Sequence, residues 1–263
     1  MKLSFSTLGC PAWSWKQILQ FAKDQAFDGI EIRGIQEALS AESLHAVLKD
    51  EEGFTKDFLK ENSLNLVCLG SSVALHDTMA WPGAINEIKQ YLQICEEFQI
   101  PAIRVFGNKL GTEDPPTVIT RVIDRLHTLC ALSPATAIYL EIHGDFSTIE
   151  TLGPIVSAMD EKNFGIIWDV EHSDGVYGDA YEPFYELIFP KIRHVHIKDR
   201  VRGKGLCLIG EGDIPLKGII HRLIKDGYDG YFSIEWEKRW KSELADPLIA
   251  LSRYASFMRR LDE

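Results

Sequence analysis

The sequence predicts an α/β protein built as a single (β/α)8 TIM barrel over residues 1–263, with its active site at the C-terminal ends of the strands. Three observations carry that expectation. Strand-like and helix-like patterns alternate along the whole chain with no low-complexity linker, the order of a parallel sheet. A length of 263 residues accommodates eight such units as one closed barrel, for which roughly 250 residues are typical. Four of the segments, LEIHGDF, WDVEHSDG, HVHIKDR and SIEWEKR, are apolar runs with a carboxylate or imidazole at or near the C-terminal end.

Taken in order, the first strand is KLSFSTLG, followed by a helix over residues 14–25. DGIEIRG is the second strand, and residues 40–62 read as helix, in two pieces broken near Gly53. LNLVCLGSS is the third; a loop with His76 and Trp81-Pro82 leads to a helix over 84–98. AIRVFG is the fourth, and a helix following Pro115-Pro116 runs to about Leu132. AIYLEIHG is the fifth, with a helix over 148–159; FGIIWDV is the sixth, with a short helix over 179–189. IRHVHIKD is the seventh, followed by a long loop, GKGLCLIGEGDIP, and a helix over 216–225. GYFSIEWE is the eighth, and the last helix covers 247–260. The glycine-rich loop lacks GxGxxG spacing and opens no helix directly, so it is not a dinucleotide fingerprint.

Composition narrows the function classes. Apolar content of 45% and charged content of 25% are those of a soluble globular protein, expected in the cytoplasm. A net charge of −11 disfavours nucleic acid as a partner. The N-terminus has no extended apolar core, so no signal peptide is expected, and no run of eighteen apolar residues suggests a membrane span. Cys10, Cys68, Cys95, Cys130 and Cys207 are scattered and lack CxxC spacing, the pattern of a reduced protein without a structural zinc site.

The period of two within strands sorts side chains by face. Tyr139, Glu141 and His143 oppose Leu140 and Ile142; His194, His196 and Lys198 oppose Val195 and Ile197; Ser233, Glu235 and Glu237 oppose Phe232, Ile234 and Trp236; Glu31 and Arg33 oppose Ile30 and Ile32. Apolar faces belong under the helices, so the polar faces point into the barrel. Ionisable groups there are costly unless paired or liganded. Two carboxylates about 4 Å apart repel by about 4 kcal/mol at an effective dielectric near 20. A divalent cation held by Glu141, Asp169, His196 and Glu235 removes that repulsion. Such an oxygen-rich set suits manganese, magnesium or cobalt, with zinc as an alternative. A lone interior carboxylate has another account, as the ion-pair partner of Arg33, Arg104 or Lys198; four such residues, each ending a different strand, are harder to explain that way.

These motifs, with IGEGDIP and GYDGYFSIEWE, resemble the xylose isomerase-like TIM barrels of the sugar phosphate isomerase/epimerase family over nearly the whole chain. That group includes ketose 3-epimerases, hydroxypyruvate isomerases and inosose dehydratases and is related to endonuclease IV. The resemblance implies Glu141, Asp169, His196 and Glu235 as metal ligands, with the two glutamates also acting as acid/base groups. It implies substrate contacts from His172 and from Arg202, for which an exposed position is the alternative. The expected reaction is isomerisation or epimerisation of a sugar or sugar phosphate, by proton transfer through a metal-stabilised enediolate. A metal-dependent dehydratase of the inosose or dehydroshikimate type is the runner-up. An endonuclease IV-like phosphodiesterase and a non-catalytic sugar-binding barrel rank below it.

Other residues carry smaller expectations. Trp13 and Trp15 form either an apolar wall for a sugar or part of the core. His143 either donates to a substrate oxygen or orients Glu141. His76 is placed at the site or on a surface loop, Lys198 and Asp199 as a local ion pair, Glu211 in a tight turn near the site or as a solvated loop residue, and Trp236 under a helix. The expected partner is a small carbohydrate, and a homodimer or homotetramer is the expected assembly.

Overall fold

The computed structural model describes residues 1–262. Its first half contains β1 (Lys2–Ser6), α1 (Trp15–Asp24), β2 (Gly29–Ile32), α2 (Ala41–Asp50), α3 (Glu52–Glu61), β3 (Asn65–Ala74), α4 (Trp81–Phe98), β4 (Ala102–Asn108) and α5 (Pro115–Leu132). There follow β5 (Ala137–Gly144), α6 (Ile149–Ala158), β6 (Phe164–Asp169), α7 (Val170–Tyr177), α8 (Glu182–Ile188) and β7 (Ile192–Ile197). The chain ends with β8 (Asp199–Val201), β9 (Gly205–Cys207), α9 (Leu216–Lys225), β10 (Tyr231–Ile234) and α10 (Pro247–Asp262). Eight strands close a barrel in the order β1-β10-β7-β6-β5-β4-β3-β2, and β8 and β9 form a separate two-stranded hairpin. The predicted (β/α)8 barrel is therefore the observed fold.

Residues 1–67 with 195–263 form one compact unit, and residues 68–194 form another. In the first, β1 lies between β10 and β2, parallel to both, with Ser4 level with Ser233 and Gly29, and Ser6 level with Glu31. Apolar side chains of these strands pack under the helices. The Phe5 ring lies 5.8 Å from Phe21 and 4.8 Å from Phe27, and Tyr254 of α10 stacks on Phe27 at 6.2 Å. The Tyr254 hydroxyl donates to the Phe232 carbonyl at 2.6 Å, so a buried polar group is satisfied inside an aromatic cluster. Trp236 is buried, its Nε1 donating to the Ala245 carbonyl just before α10.

In the second unit β4, β5 and β6 are parallel, with Phe106 level with Glu141 and Glu141 level with Ile167. Helix α6 opens on Thr148, whose side chain accepts from the Thr151 amide in a capping box, and α5 opens on Asp114 in front of two prolines. Trp168 is fully buried against Tyr185, with its Nε1 donating to Ser173 Oγ at 2.8 Å.

Three elements differ from expectation. The sequence predicts no helix between the sixth strand and residue 179, but α7 forms there, because the Asp169 carboxylate caps it by accepting from the Glu171 and His172 amides at 2.9 and 3.3 Å. The eighth strand stops at Ile234, so Glu235 follows the strand rather than ending it. The loop after β7 is not wholly irregular: it begins with the β8–β9 hairpin, whose three-residue strands are too short for an alternation signal. All five cysteines are free, and among the described residues no helix is long and apolar enough to cross a membrane.

Candidate metal centre and active site

In the second unit, strand β5 presents Glu141 and His143 on one side, two residues apart, while Leu140 and Ile142 are fully buried on the other. Glu141 is 1% exposed and accepts from Arg104 Nη1 at 2.5 Å. Arg104 comes from the neighbouring strand β4; its other nitrogen donates to the Ser71 carbonyl at 2.9 Å, and the guanidinium lies 4.2 Å over the Phe106 ring. These contacts set the direction from which Glu141 is charge-balanced. Asp169 is completely buried at the end of β6 and spends one carboxylate oxygen on the α7 amides. The first turn of that helix brings the His172 ring to 4.3 Å from His143, and the Phe106 ring lies 4.9 Å from His143.

In the first unit, β7 carries His196 and β10 leads into Glu235. Lys198 Nζ lies 2.5 Å from Glu235 Oε2 and 3.0 Å from Glu237 Oε1, with Lys198 and Glu235 both buried. Burial pushes the Glu237 carboxyl up, but Lys198 and Lys241 outweigh it and hold that group below the usual carboxylate range. His196 turns one edge to each of two glutamates. Its Nε2 is 3.2 and 3.0 Å from the two oxygens of Glu31, and its Nδ1 is 3.6 Å from Glu235 Oε2. The Ser233 hydroxyl donates to Glu31 at 3.1 Å.

Glu141, Asp169, His196 and Glu235 each offer a ligand atom, and these atoms all lie within 4.8 Å of one another; Glu31, His194 and His196 make a second such group. Three buried carboxylates and an imidazole nitrogen are a donor set that fits a hard divalent cation. Arg104 and Lys198 each hold one of the glutamates, as the ion-pair account of interior carboxylates expects.

Trp13 is half-buried with its ring 4.9 Å from Phe21, and Trp15 is in the core, donating to Thr55 Oγ1. Arg202 is exposed in the turn of the β8–β9 hairpin, where its backbone amide donates to Asp213. Lys198 and Asp199 do not pair in the manner expected. Lys198 faces Glu235 and Glu237, whereas Asp199 accepts from the amides of Arg200, Gly210 and Gly212 and so ties the loop to the end of β7. Burial raises the Asp199 carboxyl above its ordinary value against those amide hydrogen bonds. Glu211 forms a surface ion pair with Arg253 of α10 at 2.6 Å. His76 is half-buried, and its carbonyl accepts from Arg121.

Sequence reasoning placed Glu31 and Ser233 on inward faces but assigned them no role. Strand parity was the available signal. Their pairing with each other and with His196 depends on the register of β2, β1 and β10, which parity does not supply.

A family model described as xylose isomerase-like TIM barrel matches residues 19–260. A 3-dehydroshikimate dehydratase of Bacillus anthracis is 25% identical over 195 residues, covering 71% of this chain and 66% of that protein. A stretch of 90 residues is 37% identical to protein MJ1311 of Methanocaldococcus jannaschii, covering 34% of this chain and 31% of that one. The aligned stretches thus span just under two thirds and about a third of these relatives. Among solved structures, the probable 3-DHS dehydratase AsbF of Bacillus anthracis superposes with a TM-score of 0.82 at 20% identity, covering 98% of this chain and 99% of that one. The IolI protein with a bound zinc atom gives 0.80 at 19% identity, covering 100% and 97%. A D-tagatose 3-epimerase-like protein gives 0.74 at 19% identity, covering 100% and 98%.

Proposed function

This chain belongs to the xylose isomerase-like TIM barrel family, and from that premise we propose that it is a divalent-metal-dependent isomerase or epimerase of a sugar or sugar phosphate. The observation that carries the proposal is the buried cluster of Glu141, Asp169, His196 and Glu235, with ligand atoms within 4.8 Å of one another. These four residues would hold the cation, and when bound it would supply a Lewis acid for a substrate carbonyl, with manganese, magnesium, cobalt and zinc all compatible with the donors. Glu235 as a carboxylate takes the proton from the carbon beside that carbonyl, and Glu141, protonated at the start of that turnover, returns one to the opposite face, which inverts the centre and leaves the pair in the protonation states of the reverse turnover. Arg104 fixes the Glu141 carboxylate in position, and the adjacent His143 and His172 rings offer ring nitrogens to substrate hydroxyls. The same groups moving a proton between neighbouring carbons interconvert an aldose and a ketose.

A second reading, a dehydratase, has a specific observation in its favour. The Lys198 ammonium beside Glu235 is a proton donor at the place where a departing hydroxyl needs one, and the 25% identical relative is a dehydratase. One experiment separates the readings: manganese-loaded protein incubated in D2O with a panel of ketoses, ketose phosphates and 3-dehydroshikimate, followed by proton NMR. Deuterium at C3 of a ketose identifies epimerisation, and deuterium at C1 or C2 identifies isomerisation. An unsaturated product without deuterated epimer identifies dehydration. Exchange into no substrate, or turnover unchanged in Glu235→Gln where a loss of about a hundredfold or more is expected, contradicts the proposal.

A further inference from the structure

We propose that Glu31 is a positioning residue for the cation site: its carboxylate keeps the His196 ring proton on Nε2, so that the Nδ1 lone pair is the one presented toward Glu235. The inference rests on the reading of His196 and Glu235 as ligands and goes beyond it, to a residue on a different strand that acts through His196.

The chemistry follows from what each group can donate. A neutral imidazole has one N–H and one lone pair, and a carboxylate only accepts. Both oxygens of Glu31 lie at hydrogen-bond distance from Nε2, at 3.2 and 3.0 Å. The proton therefore belongs on Nε2, because the other tautomer sets a lone pair against two carboxylate oxygens. Glu31 and His196 are completely buried, so water does not screen that repulsion. Nδ1 is then the acceptor, and it faces Glu235 Oε2 at 3.6 Å. Two donors about 2.1 Å from one ion, at angles of about 90–110°, lie about 3.0–3.4 Å apart. The observed separation is within a few tenths of an ångström of that spacing.

Glu31 is itself held. Ser233, also fully buried, donates its hydroxyl to Glu31 Oε2 at 3.1 Å. The strand register makes this possible: Ser4 is level with both Gly29 and Ser233, so Glu31 stands one inward position further along than Ser233. Ser233, Glu31 and His196 thus form a relay that ends at the Nδ1 lone pair. Carboxylates that receive the distal N–H of a metal-binding histidine raise its basicity and fix its orientation, and losing one typically costs 10–100-fold in metal affinity or activity. A glutamine at position 31 keeps the shape but can present an amide N–H to Nε2, which permits either tautomer. A carboxylate cannot.

The test begins with the unaltered protein. Zinc-loaded protein labelled with 15N at histidine is examined by long-range 1H–15N NMR. The expected spectrum assigns the proton of His196 to Nε2 and the metal to Nδ1; a protonated Nδ1 with Nε2 on the metal overturns the proposal. The free Mn(II) EPR signal then measures affinity in Glu31→Gln and Ser233→Ala. Glu31→Gln is expected to bind manganese 10–100-fold more weakly, with Ser233→Ala shifted less in the same direction and the melting midpoints of the metal-free proteins close to that of the parent. Unchanged manganese affinity in a folded Glu31→Gln overturns the proposal, and should that variant not fold, the tautomer in the parent protein still decides. A parent protein that binds neither zinc nor manganese contradicts the metal-site reading itself. One that binds both through Nε2 contradicts only the role of Glu31.

Discussion

At the scale of single residues, the pair Arg104–Glu141 shows what a buried charge needs. The two side chains are 3% and 1% exposed and 2.5 Å apart, and Arg104 also reaches the Ser71 carbonyl. Removing one partner of a buried pair leaves the other uncompensated, at a cost of about 3–5 kcal/mol. Arg104→Met is therefore expected to lower the urea-unfolding free energy of the metal-free protein by about that amount. Saturating manganese is expected to shrink the loss, because a cation beside Glu141 replaces the missing positive charge; an equal loss with and without manganese contradicts Glu141 as a ligand. Glu141, His196 and Glu235 stood out in the sequence because parity puts each on an inward face, and Asp169 because it comes at the end of an apolar run. Their immediate partners were only partly legible. Lys198 was expected to pair with Asp199, its chain neighbour, but Lys198 meets Glu235 and Glu237 while the Asp199 carboxylate is taken up by loop amides.

At the scale of elements, the loop that follows β7 is organised around one carboxylate. Asp199 accepts from the amides of Arg200, Gly210 and Gly212, and Gly212 lies so close that an added Cβ would fall 2.0 Å from Asp199 Oδ1 and 2.5 Å from the Arg200 carbonyl. Gly212→Ala must therefore push the loop off Asp199. Faster cleavage by trypsin between residues 200 and 204 is expected, at a global melting temperature that changes far less; identical digestion rates contradict the anchoring role of Asp199. Helix α7 makes the same point about legibility. WDVEHSDG gave no periodic signal, since an eight-residue helix offers barely two turns, and the helix exists because Asp169 caps it. The longer α5 and α9 lie where the sequence reading places helices, with α5 starting on Pro115 itself rather than after the two prolines.

At the scale of the whole molecule, alternation of strand and helix sufficed for the barrel, because eight parallel strands joined through helices have few other ways to close in this length of chain. Registers and the β8–β9 hairpin were not readable, since they depend on which strands become neighbours rather than on local pattern. Whether one divalent cation is shared by Glu141, Asp169, His196 and Glu235 is decided by anomalous diffraction from manganese-soaked crystals at the manganese edge. One strong peak is expected about 2.0–2.3 Å from a donor atom of each of the four residues. No peak there, with Glu141 still on Arg104 and Glu235 still on Lys198, would contradict a shared cation.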